Sequence, residues 1–261
     1  MLVVSGLEKT YPGKDGGFTA VSGMSFEVHE GEIFTLVGPS GAGKTTLLRC
    51  IAGLDAPTGG SVTFDGEVVS GPPRDFAVVF QDYARSLMPW MTVAKNVELP
   101  LMKKGIDAAD RRERITRALQ EVGLGDAAEK RPFQLSGGMQ QRVAIARAIA
   151  YRPKVLIMDE PFASVDAQTR ADLEDLLLRV QEETGTTVLF VTHDVDESVY
   201  LSNRVAIVSR SPSRVAEIVD IPLPYPRDQI DTKSQPGFAH LRGHVFGRIR
   251  EMVRDANLTT T

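Results

Sequence analysis

The stretch Ile33-Phe34-Thr35-Leu36-Val37-Gly38-Pro39-Ser40-Gly41-Ala42-Gly43-Lys44-Thr45 carries the strongest local signal in this 261-residue chain. Its first five residues are an almost unbroken apolar run ending at Gly38, the pattern of a parallel strand buried on both faces. From Gly38 to Thr45 the chain fits G-x-x-x-x-G-K-[ST]. Glycines at this spacing let successive backbone N–H groups point inward at phosphate oxygens, and the helix N-terminus that follows adds partial positive charge. Lys44 would neutralise β- and γ-phosphates, and the Thr45 hydroxyl would ligate Mg²⁺. An ordinary glycine-rich turn is the plain alternative. Context decides against it, because a strand precedes and a helix follows: Leu47, Leu48 and Ile51 share one face, Gly53 suits the C-cap, and Pro57 lies beyond.

The same logic extends down the chain. Residues 61–64 and 76–80 read as strands, separated by the turn signals Asp65-Gly66 and Gly71-Pro72-Pro73. Residues 107–122 carry Ile115, Leu119 and Val122 at helical spacing, and residues 140–150 form a second helix opened by Ser136-Gly137-Gly138. Strand 155–158, helix 167–184 closed by Gly185, strand 187–191, helix 195–201 and strand 205–208 follow. Such alternation predicts a parallel sheet with right-handed crossovers. The fold class is therefore α/β, a P-loop NTPase core with a mostly parallel sheet, an N-terminal antiparallel β subdomain and an inserted helical subdomain. The expected division is residues 1–83 and 153–220 for the core, 84–152 for the helical insertion and 221–261 for a C-terminal extension.

Composition bounds the function. Hydrophobic residues make up 42% and charged residues 25%, and about 73% of the unfolded surface would be buried on folding. Lys+Arg 30 against Asp+Glu 34 leaves a net charge of −4, which supplies no global reason to bind nucleic acid or an anionic membrane. One cysteine, Cys50, rules out an internal disulfide and reads as a small buried residue. Met1 to Gly6 lacks the basic start and apolar length of a signal peptide. The longest apolar runs, such as 155–158 and 188–191, fall far short of the roughly 18 residues needed to span a bilayer. The expectation is a soluble, cytoplasmic chain whose membrane role comes through a partner.

Val155-Leu156-Ile157-Met158-Asp159-Glu160 is a Walker B pattern, in which a buried strand carries two carboxylates to the edge of the sheet. Asp159 there suits Mg²⁺ through its water shell, and Glu160 suits accepting a proton from, or orienting, an attacking water. Without a phosphate-binding loop upstream, such an acidic pair would read as a turn or cap.

Leu135-Ser136-Gly137-Gly138-Met139-Gln140, continued by Gln141-Arg142-Val143-Ala144-Ile145-Ala146-Arg147-Ala148, resembles the signature motif of ATP-binding cassette (ABC) transporter ATPases. A Ser-Gly-Gly turn opening a helix is physically a second anion site, and otherwise a plain N-cap. The resemblance covers nearly the whole chain, with the motifs in family order. It implies that Tyr11 stacks on adenine, that Gln81 is the Q-loop glutamine and a further Mg²⁺ ligand, and that His193 is the switch histidine at the γ-phosphate. It also implies that Ala163-Ser164-Val165-Asp166 is the D-loop. Pro39, Ser40, Gly41, Ala42, Gly43 and Thr46 join the nucleotide-binding set, with Ser136, Gly137, Gly138, Gln140 and Asp166. Other readings stay open: Tyr11 as a turn aromatic, Asp166 as the N-cap of helix 167–184, His193 as a structural residue. The D-loop departs from the commoner Ser-Ala-Leu-Asp wording, which puts its detailed contacts in doubt.

In that family two cassettes pack head to tail around two ATP molecules, each completing the other's site with its signature turn. The implied partners are a second copy of this chain, transmembrane permease subunits and, indirectly, a substrate-binding protein, with no nucleic acid. The implied place is the cytoplasmic face of the membrane. Residues 82–93, Asp82-Tyr83-Ala84-Arg85-Ser86-Leu87-Met88-Pro89-Trp90-Met91-Thr92-Val93, read either as core of the helical lobe or as a groove wall for a short permease helix. Leu87-Met88-Pro89-Trp90 and the tail Ile221-Pro222-Leu223-Pro224-Tyr225-Pro226-Arg227-Asp228 are similar to ATPases of the nitrate/sulfonate/taurine import family. A weak amphipathic helix follows, carrying Phe238, Leu241, Val245, Ile249 and Met252 on one side and interrupted by Gly243 and Gly247; Arg242, Arg248, Arg250 and Arg254 read as a solvated face. The leading function is an importer ATPase for nitrate, taurine or aliphatic sulfonates. The rivals are a soluble ABC ATPase of repair, chromosomes or translation, and the cassette of a different ABC transporter.

Overall fold

The computed structural model of the chain describes residues 1–13, 17–82 and 86–258. In chain order its elements are β1 (Leu2–Tyr11), β2 (Phe18–Val28), β3 (Ile33–Val37), α1 (Lys44–Ile51), β4 (Gly59–Phe64), β5 (Glu67–Val68), β6 (Phe76–Val79), α2 (Val93–Glu98) and α3 (Ala108–Glu121). Then come α4 (Gly137–Tyr151), β7 (Val155–Asp159), α5 (Ala167–Thr184), β8 (Thr187–Thr192), α6 (Val195–Leu201), β9 (Arg204–Val208), β10 (Val215–Asp220), α7 (Asp231–Ser234) and α8 (Pro236–Leu258). Strands β2-β1-β4-β5 form an antiparallel sheet, and β10-β9-β3-β8-β7-β6 form a second sheet that is parallel except for β10.

The central strands are apolar on both faces because both faces are covered. Ile33, Val37, Leu156, Met158, Val188, Phe190, Val205 and Ile207 pack with apolar residues of α2–α6 and α8. Their alternates Phe34, Leu36, Val155, Ile157, Leu189, Val191, Ala206 and Val208 pack with α1 and the antiparallel sheet. The period of two in the strand assigns each side chain to one core or the other. Cys50 is buried in the second of these. Segment 80–154 leaves the sheet at β6 and returns at its neighbour β7, with α2, α3 and α4 packed on one another between them.

Two helices differ from the sequence reading. α4 starts at Gly137, three residues before the expected 140, because the Ser136 hydroxyl accepts from the Met139 N–H at 3.3 Å and caps the helix there. α8 runs unbroken through Gly243 and Gly247. Each glycine costs about 1 kcal/mol against alanine, but Phe238 and Val245 are buried against the core and Leu241, Ile249 and Met252 are partly so, which holds the helix together. Arg242 and Arg248 are not merely solvated: they reach Asp196 at 2.9 Å and Glu217 at 2.7 Å. Ahead of α8, buried Arg227 donates to the Tyr200 carbonyl at 2.7 Å. Among the described residues no helix is long and apolar enough to cross a membrane.

The tail therefore contributes to the core. Phe238→Ala should cost about 3–5 kcal/mol in a urea titration, whereas Phe246→Ala, eight residues on and exposed, should stay within about 0.5 kcal/mol. Equal effects would contradict this packing.

Candidate functional site

Four adjacent strands end together. The parallel register pairs Val37 with Thr192, Val191 with Asp159 and Met158 with Val79, so β3, β8, β7 and β6 share one C-terminal edge. The residues that follow, or in β7 complete, each strand are the Gly38–Thr45 loop, His193, Asp159 with Glu160, and Gln81. Segments up to 155 residues apart in sequence thus converge for one geometric reason.

Two glycines of the loop are required by space. A Cβ at Gly38 would lie 2.6 Å from the Val208 carbonyl oxygen; one at Gly43 would lie 2.7 Å from the Ala20 carbonyl oxygen, at φ +76°. Pro39 is half-buried, Ser40 and Gly41 are exposed, and Ala42 is buried. Lys44, only 6% exposed, turns its ammonium back on the loop, donating to the Gly38 and Pro39 carbonyls at 2.8 and 3.0 Å, and lies 4.0 Å from Glu160 Oε1. Burial pushes this amine's pKa below its usual value, against the opposing pull of Glu160 and Asp159. Burial pushes the Asp159 carboxyl up, opposed by the hydrogen bond it accepts from Thr45 Oγ1 at 2.7 Å. Thr46 Oγ1 accepts from the Tyr11 hydroxyl at 3.5 Å, so the aromatic that closes β1 stands beside the helix that follows the loop.

Glu160 is the hub. Its φ of +46° is left-handed, a conformation that costs a non-glycine residue about 1–2 kcal/mol. Its N–H is held by the Val191 carbonyl at 2.8 Å. One carboxylate oxygen, Oε2, accepts from Gln81 Nε2 at 3.1 Å and lies 3.1 Å from His193 Nδ1, while Oε1 faces Lys44. Thr45 and Asp159 present adjacent oxygens of the kind a hard divalent cation takes, so the residues fit Mg²⁺.

The signature residues sit apart from this hub. Ser136 caps α4, and a Cβ at Gly138 would meet Val165 Cγ1 at 3.4 Å, so the turn lies against the 163–166 loop. Ser136, Gly138, Ser164 and Asp166 line a shared cavity of about 230 Å³. Gly137, the first residue of α4, is exposed. Gln140 spends its side-chain amide on the Pro132 and Leu135 carbonyls at 3.1 and 3.3 Å. Asp166 caps α5, accepting from the Thr169 N–H at 3.0 Å and the Thr169 hydroxyl at 2.7 Å. Among the described residues no hydrogen bond or ion pair joins Ser136, Gly137 or Gly138 to the Gly38–Thr45 loop.

Leu87 and Val93 of the 82–93 stretch are buried in the core, whereas Trp90 is 66% exposed, which sets aside the core reading for its own side chain. The cause is Asn96, fully buried, whose amide accepts from the Met88 N–H at 2.7 Å and donates to the Met88 and Thr92 carbonyls at 3.1 and 3.0 Å. It pins the turn with the indole outward. Tyr83, Ala84 and Arg85 of that stretch, and the 83/84 boundary, lie outside the described residues. Sequence reading also passed over the surroundings of His193. Asp194 caps α6, Thr192 donates to Glu197 at 2.6 Å, and Arg170 lies 3.3 Å from Asp194 and 3.6 Å from Glu197. Asp194-x-x-Glu197 is a capping pattern visible in sequence, but nothing local points to Arg170.

The loop makes a graded prediction. Gly41→Ala meets open space at φ +77° and should cost about 1–2 kcal/mol from backbone strain alone. Gly43→Ala adds the clash with Ala20 and should cost about 2–5 kcal/mol. Denaturant titration of both variants checks the order.

Comparison with known proteins agrees with this geometry. A family profile described as ABC transporter matches residues 21–163. The nitrate transport protein NasD of Klebsiella oxytoca is 42% identical over 94% of this chain and 95% of its own length. The bicarbonate transport ATP-binding protein CmpC of Synechocystis sp. is 42% identical over 97% of this chain, which spans only 38% of that relative. The solved dimeric structure of a post-hydrolysis state of the ATP-binding cassette MJ0796 bound to ADP and Pi superposes with a TM-score of 0.77 at 33% identity, over 85% of this chain and 99% of that one. The Gly38–Thr45 loop, the paired Asp159-Glu160 and the capped Ser136 turn stand on a fold and sequence shared with these proteins, and the matches lead to one conclusion: the chain belongs to the ABC transporter family, as its ATP-binding and ATP-hydrolysing cassette.

Proposed function

We propose that this cassette powers an importer of a small oxyanion or sulfonate, with nitrate, taurine and aliphatic sulfonates as the substrates to test, working with permease subunits and a substrate-binding protein at the cytoplasmic face of the membrane. The observation that carries the mechanism is the separation described above: one hub of Lys44, Asp159, Glu160, Gln81 and His193, and a signature turn lying away from it. On this reading the helical segment 84–152 is a lobe inserted between core segments 1–83 and 153–220, with 221–261 as an extension. Importer function is supported by relatives whose names assign them to nitrate and bicarbonate transport.

ATP then binds with its triphosphate in the Gly38–Thr45 loop and its base against Tyr11. Lys44 exchanges its contacts with the Gly38 and Pro39 carbonyls for phosphate oxygens, which removes the mismatch of a buried ammonium on neutral acceptors. Mg²⁺ would be held by Thr45, Asp159 and Gln81, and supplies neutralisation of phosphate charge. Glu160 accepts the proton of the attacking water, and its left-handed backbone and Gln81 contact keep the carboxylate oriented. His193, 54% exposed at its side chain and touching Glu160, stands where loss of the γ-phosphate can be sensed. The loop covers the triphosphate from one side, and Ser136, Gly137 and Gly138 of a second copy complete the cage from the other. Closure follows ATP binding, and hydrolysis releases it.

Exposed Trp90 is assigned to a groove wall for a permease helix, since a large apolar side chain held out by Asn96 suits a partner surface.

Three measurements test this reading. Glu160→Gln with ATP should run as a dimer in gel filtration, and as a monomer without it; a monomer in both conditions contradicts the sandwich. Trp90→Ala should abolish transport while leaving basal ATPase and thermal stability intact, and a joint loss of all three would return Trp90 to the core. In proteoliposomes with the permease and binding protein, nitrate, taurine or an alkanesulfonate should stimulate ATPase; if none does, the substrate class is wrong.

A further inference from the structure

We propose that Arg170 and Glu197 are positioning residues for His193, holding the turn between β8 and α6 so that the imidazole stays on Glu160. The inference rests on the reading of His193 just given, and concerns how its position is maintained.

His193 lies between two residues with dedicated polar partners. On its N-terminal side, the Thr192 hydroxyl donates to Glu197 Oε2 at 2.6 Å and accepts from the Asp194 N–H at 3.0 Å. On its C-terminal side, Asp194 Oδ1 accepts from the Asp196 and Glu197 N–H groups at 2.8 and 3.2 Å. Arg170, from α5, ties the two sides together: Nη1 lies 3.3 Å from Asp194 Oδ2 and Nε lies 3.6 Å from Glu197 Oε1. The turn is thus fastened at both flanks to one guanidinium on another helix.

A cavity of about 60 Å³ lies between Glu160, Arg170, His193 and Glu197, on the side of the turn that faces the hub. The His193 side chain is itself 54% exposed. Glu197 is buried, with burial the main influence raising its pKa to about 7; Asp194 and Glu174 act in the same direction, Thr192 and Arg170 against it. A carboxylate in that setting depends on its partners. Arg170 also stands one turn along α5 from Asp166, its N–H donating to the Asp166 carbonyl at 2.8 Å. The positioning contact therefore starts from the first turn of the helix that the 163–166 loop opens.

The test uses the full chain and measures ATPase at saturating and limiting ATP, with thermal melting alongside. Arg170→Met should lower kcat about 10- to 100-fold, the scale of a misplaced catalytic group, with KM for ATP unchanged. Glu197→Gln, nearly isosteric and expected to fold, should also lower kcat. In the double variant Arg170→Met with Glu197→Gln neither side of the contact carries a charge at any assay pH, so its melting temperature at alkaline pH should recover toward wild type while kcat stays low. Arg170→Lys, which keeps the charge, should restore part of kcat. The proposal is overturned if Arg170→Met and Glu197→Gln keep wild-type kcat, if only KM changes, or if kcat recovers together with melting temperature in the double variant. A His193→Ala variant that keeps full kcat overturns the His193 reading itself, a result separate from any effect of Arg170.

Discussion

The structure depends on one constraint above the others, the parallel register of β6, β7, β8 and β3. Because these strands run the same way and are neighbours, everything that follows them emerges on one edge. A slip of one residue in β7 would send Asp159 to the opposite face and move Leu156 and Met158 out of their core. Apolar burial on both faces of the sheet makes that slip expensive. The same burial that stabilises the fold therefore holds Lys44, Asp159, Glu160, Gln81 and His193 in alignment, and the hub needs no separate scaffold.

On that edge charge is concentrated where water is scarce. One ammonium, Lys44, faces two carboxylates across the sheet edge, and only part of the possible pairing is made: Thr45 takes Asp159, Gln81 and His193 take one oxygen of Glu160, and Lys44 falls back on carbonyls of its own loop. Burial drives the Lys44 and Asp159 pKa values in opposite directions, both towards the neutral form. Such an arrangement favours a ligand that brings concentrated negative charge, because that ligand pairs the ammonium in a setting of low dielectric. Backbone strain at Glu160 sits at the same place, held by a strand hydrogen bond rather than relieved.

Away from the hub, small polar devices decide what is presented. Asn96 satisfies its whole amide on the 88–92 turn and so holds Trp90 out. Arg227, buried among carbonyls of Tyr200, Ile221 and Leu223, fastens the tail to α6. Lys233 reaches buried Glu174 at 3.3 Å, next to Gln229, which bonds the same carboxylate. The tail is thus joined to the two helices, α5 and α6, that flank the His193 turn.

By itself the sequence determined the strands that follow a buried apolar pattern, the helices that carry caps, and the placing of the Gly38–Thr45 loop, the Asp159-Glu160 pair and the Ser136-Gly137-Gly138 turn at element ends. These signals are local: a period of two, a period of 3.6, or a fixed spacing of glycines. Helices α5 and α6 begin at their caps Asp166 and Asp194, and α5 stops at Gly185. Tertiary structure alone decided what depends on distant partners. α8 stays continuous because the core covers its apolar face, against the propensity of Gly243 and Gly247. Trp90 faces outward because Asn96 is buried beneath its turn. Arg170 meets Asp194 and Glu197 only once α5 and α6 pack side by side. A side chain's partner across 24 residues is set by how two elements dock, and no period within either element encodes that.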